Sequence, residues 1–561
     1  MDACINMTAD LIITNARIIT MDKANPFAEA MAISGNRILK VGTANDVMSL
    51  RNAQTRVHDN KGNTVIPGII EGHVHLFIGA AELDLLNIRD NETEESVRQA
   101  VQSYRQKHPS LTFLHAISAA HKQFGKGVTI TRHVLDRIVS DIPFAISCFD
   151  HHTVWANTKA LEKTGILNGR SLSQGNEIVM ADDGLATGEL REFEAFAPIL
   201  DLGTSGGRES AGIVTGRNPS PPPTASQRAA DVETMRKGIA HANSLGITSM
   251  HNMDGNRYQL ELLHELETRG QLNSRVEVPF YFRNTMAVQD VDEAVEFRSA
   301  YATDMLHSGL VKLFIDGVME TLTALMLDDY PGYPGNKGAP LYSAEQLNAV
   351  VIRADKHGLQ IATHAIGDGG VRRTLDAYEA AQKANGKRDS RHRIEHIELI
   401  DPADISRLAD LGVVASLQPI AGVGVPGSPP EPILSRVGEK LPWAYAWQTI
   451  RNTGAAVAFS SDWPVSPLDP FIGMQSAMTV KSLRPDCPDQ VQSLMDTIHS
   501  FTAAGAHMEF MEDRKGMLKP GYLADVAVLD ANMENLPANR IAEAKPVMTI
   551  CDGRIVYERN S

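Results

Sequence analysis

Along the first sixty residues apolar and polar positions alternate in short runs, "DLIITNARIIT", "AEAMAISGNRILKVG" and "TRVHDNKGNTVIPG", broken at Gly35–Asn36 and across Asn60–Gly62. A period of two between turn-forming residues predicts short antiparallel strands. The last fifty residues read alike, in "GYLADVAVLDANM" and "PVMTICDGRIVYE" around Asp552 and Gly553. Two β-rich ends around a different middle predict one small β-rich domain built from both termini, residues 1–66 with 515–561. In the middle, helical patterns precede apolar strand-like runs: "ETMRKGIAHANSL" before "GITSMHNM", "VDEAVEFRSAYATDML" before "GLVKLFIDG", "AEQLNAVVIRADKH" before "GLQIATHAIG", "PADISRLAD" before "LGVVASLQP". Repeated helix–strand units imply a parallel sheet, and this many favour a closed α/β barrel over residues 67–514, with insertions. An open doubly wound sheet is the other arrangement the pattern admits. The stretch "TGRNPSPPPTASQ", residues 215 to 227, predicts an exposed loop or linker.

Composition narrows the class. The 561 residues are 22% charged and 43% hydrophobic, the balance of a globular protein able to bury a large core. A formal net charge of −15 with no Lys/Arg run argues against a nucleic-acid partner. Cys4, Cys148, Cys487 and Cys551 are scattered without a C-x-x-C pair, as expected of a reducing compartment. The first residues lack the charged and apolar regions of a signal peptide, and no run approaches the roughly 18 apolar residues of a membrane span. A cytoplasmic chain with no membrane partner is expected.

The chemistry gathers at predicted strand ends. In "NTVIPGIIEGHVHLF" His73 and His75 are two apart, so on a strand both imidazoles face one spot. Lys312 in "VKLFIDG", His364 in "IATHAIGDGG", His396 in "RIEHIEL" and Asp462 in "SSDWPV" fall at comparable places on later strands. Imidazoles and a carboxylate are ligands for zinc-like cations. Each residue also has a bland reading. A lone histidine at a strand end is commonly a hydrogen-bonded structural residue, Lys312 could pair with a carboxylate such as Asp316, and Asp462 could cap a helix. Their joint placement in order on successive predicted strands favours the site.

The same segments, with "ADLIITNARIITMD", "LDRIVSDIPFAISCFDHHTVWANTKAL", "GLATGELRE", "LYSAEQL" and "GMLKPGYLADVAVLD", resemble the amidohydrolase superfamily over nearly the whole chain, in the branch typified by N-substituted formamide deformylase. The resemblance implies that His73 and His75 hold one divalent metal, zinc by expectation, and His364 and His396 a second. It implies that Lys312 is carboxylated to bridge the two, and that Asp462 both ligates and shuttles a proton. It also implies a (β/α)8 barrel with an accessory sandwich, and it suggests a homodimer. His152, in a segment with Asp150 and His151 that aligns with the branch, is expected to face substrate, with a hydrogen bond to a loop carbonyl the other reading; His251, at the end of another predicted strand, is expected at the substrate side or just behind the ligands, and Gln418 in the pocket lining. The "WAYAW" segment at 443–447 reads better as packing than as a pocket wall. Two departures stand out: Leu322 where many branch members carry an arginine, and Ala421 where many carry a histidine. Both replace polar groups on the expected substrate side and point to a more apolar substrate.

The expected activity is hydrolysis of an amide or formamide C–N bond of a small molecule, with one or two divalent metals. A metal lowers the pKa of water and polarises a carbonyl, and Asp462 would take and return the proton. The alternatives are a deaminase of a cyclic amidine or heterocycle, against which Lys312 weighs, and a non-catalytic or regulatory relative, against which the filled ligand positions weigh.

Overall fold

The structure is a computed structural model that describes residues 8–121, 123–125, 127–149, 152–172, 176–422, 424–425, 431 and 433–559. The chain divides into two compact units, Met1–Leu76 with Ile239–Ser561, and Phe77–Gly238.

In the first unit the chain ends form two sheets. Leu11–Thr14 lies between Ala30–Ser34 and Arg56–Asp59, with Arg37–Gly42 outermost. The second sheet runs Arg554–Glu558, Pro546–Cys551, Val526–Leu529, Thr64–Pro67, Arg17–Ile19, Phe27–Ala28, so C-terminal strands pair directly with N-terminal ones. The period of two does what it should: Leu11 and Ile13 join Val65, Val526, Val528, Met548 and Ile550 in one core, while Ile12 packs with Ala30, Ala32 and Val47 on the other face.

The rest of this unit alternates helix and parallel strand. Ile69–Val74 pairs with Ile247–Asn252, which pairs with Arg275–Glu277, which pairs with Leu306–His307. A second parallel set follows through Phe280–Tyr281, Leu310–Phe314, Gln360–Ala365, Arg393–His396, Val414–Leu417 and Val457–Phe459. Helices such as Arg257–Thr268, Ala344–Lys356 and Asp368–Asn385 precede their strands, as the sequence pattern requires. Beyond Phe459 the chain returns to the first strand, where Val74 and Trp463 form a parallel bridge. These are α/β connections, and the strands are short and buried, the burial expected of a sheet covered on both faces.

The second unit carries a six-stranded mixed sheet in the order Glu177–Met180, Ala186–Arg191, Thr153–Ala156, Phe144–Cys148, Leu114–Ala119, Leu86–Asn87. The Pro-rich stretch is irregular only to Thr224. Its last residues, Ala225 to Gln227, open the helix Ala225–Ser244, because Thr224 and Gln227 exchange hydrogen bonds that start the first turn. Among the described residues Cys148, Cys487 and Cys551 are free thiols, and no helix is long and apolar enough to cross a membrane.

Candidate metal centre

The predicted histidine ligands lie at or just beyond the C-terminal ends of the parallel strands, and Lys312 lies in the middle of Leu310–Phe314. His73 is next to last in Ile69–Val74, His364 next to last in Gln360–Ala365, and His396 last in Arg393–His396. Register aligns Phe314 with His364 and Ala365 with His396, so the ligand rows sit at one level. The ring centroids form a chain: His75 to His73 at 5.5 Å, His73 to His396 at 4.8 Å, His396 to His364 at 4.6 Å. All four imidazoles therefore converge.

Each ring is aimed by its other nitrogen. His73 Nδ1 lies 2.8 Å from Glu395 Oε2, His75 Nδ1 3.0 Å from Asp254 Oδ1, and His396 Nδ1 2.8 Å from Gln418 Oε1. With Nδ1–H donating in each case, Nε2 keeps its lone pair for the centre. His364 differs: its Nε2 faces the Gly317 carbonyl at 3.2 Å and its ring stacks on Phe314 at 4.6 Å, which leaves Nδ1 as the ligating atom.

Asp462 closes the group. Its Oδ1 is 3.3 Å from both His73 Nε2 and His75 Nε2. The carboxylate and the two rings offer ligand atoms all within 4.8 Å of one another. Asp462 sits in the left-handed region at φ 61°, and His396 at φ 75°, conformations that side chains other than glycine rarely hold unless the surroundings impose them. The imposing contacts are clear for Asp462. Its N–H donates to the His73 carbonyl at 3.0 Å, the His75 N–H donates to the Trp463 carbonyl at 2.7 Å, and Ser461 N–H donates to Glu71 Oε1 at 2.7 Å. The strand Ile69–Val74 and the residue after it thus carry two ligands and pin the third.

Electrostatics fit a cation. Burial, with the Lys312 charge nearby, brings the His73 imidazole down to about 3, so it is neutral and ready to ligate. Burial alone would do the same to His75, but Asp254 and Asp462 outweigh it and raise that ring to about 9. Their negative field, which here favours a proton on His75, would equally favour a metal ion in its place. Lys312 is fully buried, its Nζ has no hydrogen-bond partner, and burial lowers it to about 8 although Glu395 and Asp462 pull the other way. The pairing with Asp316 that the sequence allowed does not occur. Asp316 instead accepts backbone N–H groups of Leu325, Ile366 and Gly367. Nor does Asp462 cap a helix. Orphaned Lys312 Nζ and Asp462 Oδ1 are the mark of a site that fits a metal.

The other expected residues fall as follows. Gln418 lines the cleft beside the ligands, but its amide is spent holding His396 and donating to Ser460 Oγ at 2.8 Å. His251 is fully buried behind the ligands: Arg393 Nη1 donates to its Nδ1 at 2.8 Å, and the same guanidinium donates to Glu395 Oε1 at 2.8 Å. It belongs to the support of His73 and is not among the residues lining the cleft. His152 lies in the Phe77–Gly238 unit, 3.1 Å from Glu192, and Asp150 and His151 lie outside the described residues. The "WAYAW" reading changes: Tyr445 and Trp447 line the cleft with His396, Glu398, Ala421 and Asp462. Sequence reasoning missed Glu395, Asp254 and Glu398. The signal available was "RIE", two opposite charges two apart on a strand too apolar to leave either exposed.

Comparison with known proteins is decisive at this point. The amidohydrolase family model matches residues 56–557. The chain belongs to the amidohydrolase family. It is 29% identical to the protein LONG AFTER FAR-RED 3 of Arabidopsis thaliana over 94% of this chain and 88% of that one. It is 24% identical to the N-substituted formamide deformylase of Arthrobacter pascens over 98% of both. The fold matches that of an uncharacterized metal-dependent hydrolase from Pyrococcus horikoshii at a TM-score of 0.72, with 24% identity over 94% of this chain and 99% of that chain. That likeness of fold implies a TIM-like barrel plus an extra domain, and the alternation of helices and parallel strands fits it.

Proposed function

We propose that this amidohydrolase cleaves a carbon–nitrogen bond, an amide or formamide of a small molecule, at the cluster of His73, His75, His364, His396, Lys312 and Asp462. The observation that carries this reading is the unpartnered Asp462 Oδ1 set 3.3 Å from two imidazole nitrogens that Glu395 and Asp254 have already oriented. Such a donor set suits one or two zinc-class ions. A divalent cation held there supplies Lewis acidity, polarising a carbonyl and acidifying water.

The chain's own groups supply the rest. Asp462, held well below the usual carboxylate range by His73, His75 and His396 in spite of its burial, is ionised at neutral pH and can accept the proton of an attacking water. The same carboxyl then delivers that proton to the departing amine nitrogen. Lys312, lowered to about 8, is partly free base near neutral pH, the form in which Nζ adds to carbon dioxide and loses a proton to become a carbamate. That conversion exchanges a buried cation for an anion, which a divalent metal held by these residues would attract. The parallel strands are read as a closed eight-stranded barrel, supported by the Val74–Trp463 bridge, and the terminal sheets as its sandwich domain.

Elemental analysis of protein purified without chelators should find about one to two equivalents of zinc-class metal per chain, with hydrolysis of simple N-formyl amines. Asp462→Asn should lower kcat by about 10²–10⁴-fold with the fold intact by circular dichroism. Metal-free protein that added zinc does not activate on amides would overturn the reading, and ammonia release from heterocycles with no amide turnover would replace it with the deaminase.

A further inference from the structure

The cleft over the ligands has a wall that the reaction does not need. Besides His396, Gln418 and Asp462, it is lined by Ile397, Leu417, Tyr445, Trp447, Val465 and one more ionisable side chain, Glu398. Tyr445 donates its hydroxyl to Glu398 Oε2 at 2.9 Å and its backbone N–H to the Glu398 carbonyl at 2.8 Å, which fixes the carboxyl and the phenol as a unit. No lysine or arginine lines the cleft among the described residues, and its only imidazole, His396, is committed as a ligand. Leu322 packs into an apolar group with Met319, Tyr330 and Tyr445, and Ala421 lines the cleft itself.

A carboxyl framed by two aromatic side chains and lacking a basic partner is the chemistry that recognises an ammonium group: charge-assisted hydrogen bonding on one side, attraction to ring faces on the other. It disfavours a carboxylate or phosphate by like-charge repulsion in a low-dielectric site. We propose that the Glu398–Tyr445 wall is a subsite for a basic nitrogen, so that the amide this enzyme cleaves carries a cationic substituent and not an anionic one. The proposal rests on the C–N hydrolase reading for its reaction but not for its binding preference.

The test is an isosteric series on the metal-loaded enzyme: N-(3-aminopropyl)formamide, N-butylformamide and N-formyl-4-aminobutanoate. The cationic amide should exceed the neutral one in kcat/KM by about tenfold or more, with the anionic one below both. Glu398→Gln should bring the cationic-to-neutral ratio to about one. Equal use of the first two, preference for the anion, or a ratio untouched by Glu398→Gln would overturn the subsite. Should Glu398→Gln not fold, the wild-type order decides alone. If none of the three is hydrolysed, the proposed reaction falls separately, and calorimetric titration with the same compounds judges the subsite: tighter binding of the cationic amide supports it, and equal binding removes it.

Discussion

Glu395 sets how well His73 can hold a cation. It receives the His73 Nδ1–H at one oxygen and Arg393 Nε–H at the other, each at 2.8 Å, and it is fully buried. Burial raises its carboxyl, but Arg393 and His73 prevail and hold it well below the usual range, so it is an anion. An anion behind the ring makes the facing nitrogen more basic and fixes its direction. Glu395→Gln keeps the shape and removes the charge. Metal affinity should then fall about 10–100-fold in competition with a chelator, with activity recovered by excess metal; affinity equal to wild type would show that the carboxylate only fills space. At this scale the sequence was legible where geometry is local. His73 and His75 declare themselves by a spacing of two. Glu395 does not, because its partner is 322 residues away and nothing in "RIEH" names it. Lys312 was ambiguous for the same reason, until the structure gave Asp316 to backbone amides.

Among elements, the join at Gly68 carries the most consequence. Thr64–Pro67 pairs with Val526–Leu529 in a terminal sheet, and one residue later Ile69–Val74 enters the parallel set and delivers His73. The chain passes so close to Thr248 that a Cβ on Gly68 would lie 2.3 Å from its Oγ1 and 2.9 Å from its Cβ. Thr248 is β-branched and fully buried, so it cannot turn away. Gly68→Ala should therefore lower stability by about 1–3 kcal/mol through overpacking and displace the ligand strand. A drop in melting temperature together with weaker metal binding is expected; an unchanged melting temperature would mean the strand has slack. The strands themselves were legible from apolar runs and the helices from their period, since burial dictates both. The start of Ala225–Ser244 was not, because three prolines in a row mask a capped first turn that follows immediately.

At the scale of the molecule, Arg275 ties the chain ends to the strands that hold the site. It is fully buried on Arg275–Glu277, and it donates through Nε and Nη2 to Asp525 at 2.7 and 3.0 Å and through Nη2 to Asp552 at 3.0 Å. Asp525 precedes the terminal-sheet strand Val526–Leu529, and Asp552 follows Pro546–Cys551. That strand set was foreseen from β-rich ends, but not its fastening, since a lone arginine in "NSRVEVP" carries no mark of a partner 250 residues on. Arg275→Met would leave Asp525 buried without its cation, which costs about 3–5 kcal/mol and shows as a lower denaturant midpoint. Metal affinity should fall with it, because Arg275–Glu277 pairs with Ile247–Asn252 and that strand pairs with the one bearing His73. The double variant Arg275→Met with Asp525→Leu removes both charges and should regain most of the stability, since a buried pair replaced by apolar side chains is commonly near neutral. A double variant no better than the single one would show that these residues act through shape rather than charge, and a single variant as stable as wild type would show that the chain ends hold without them.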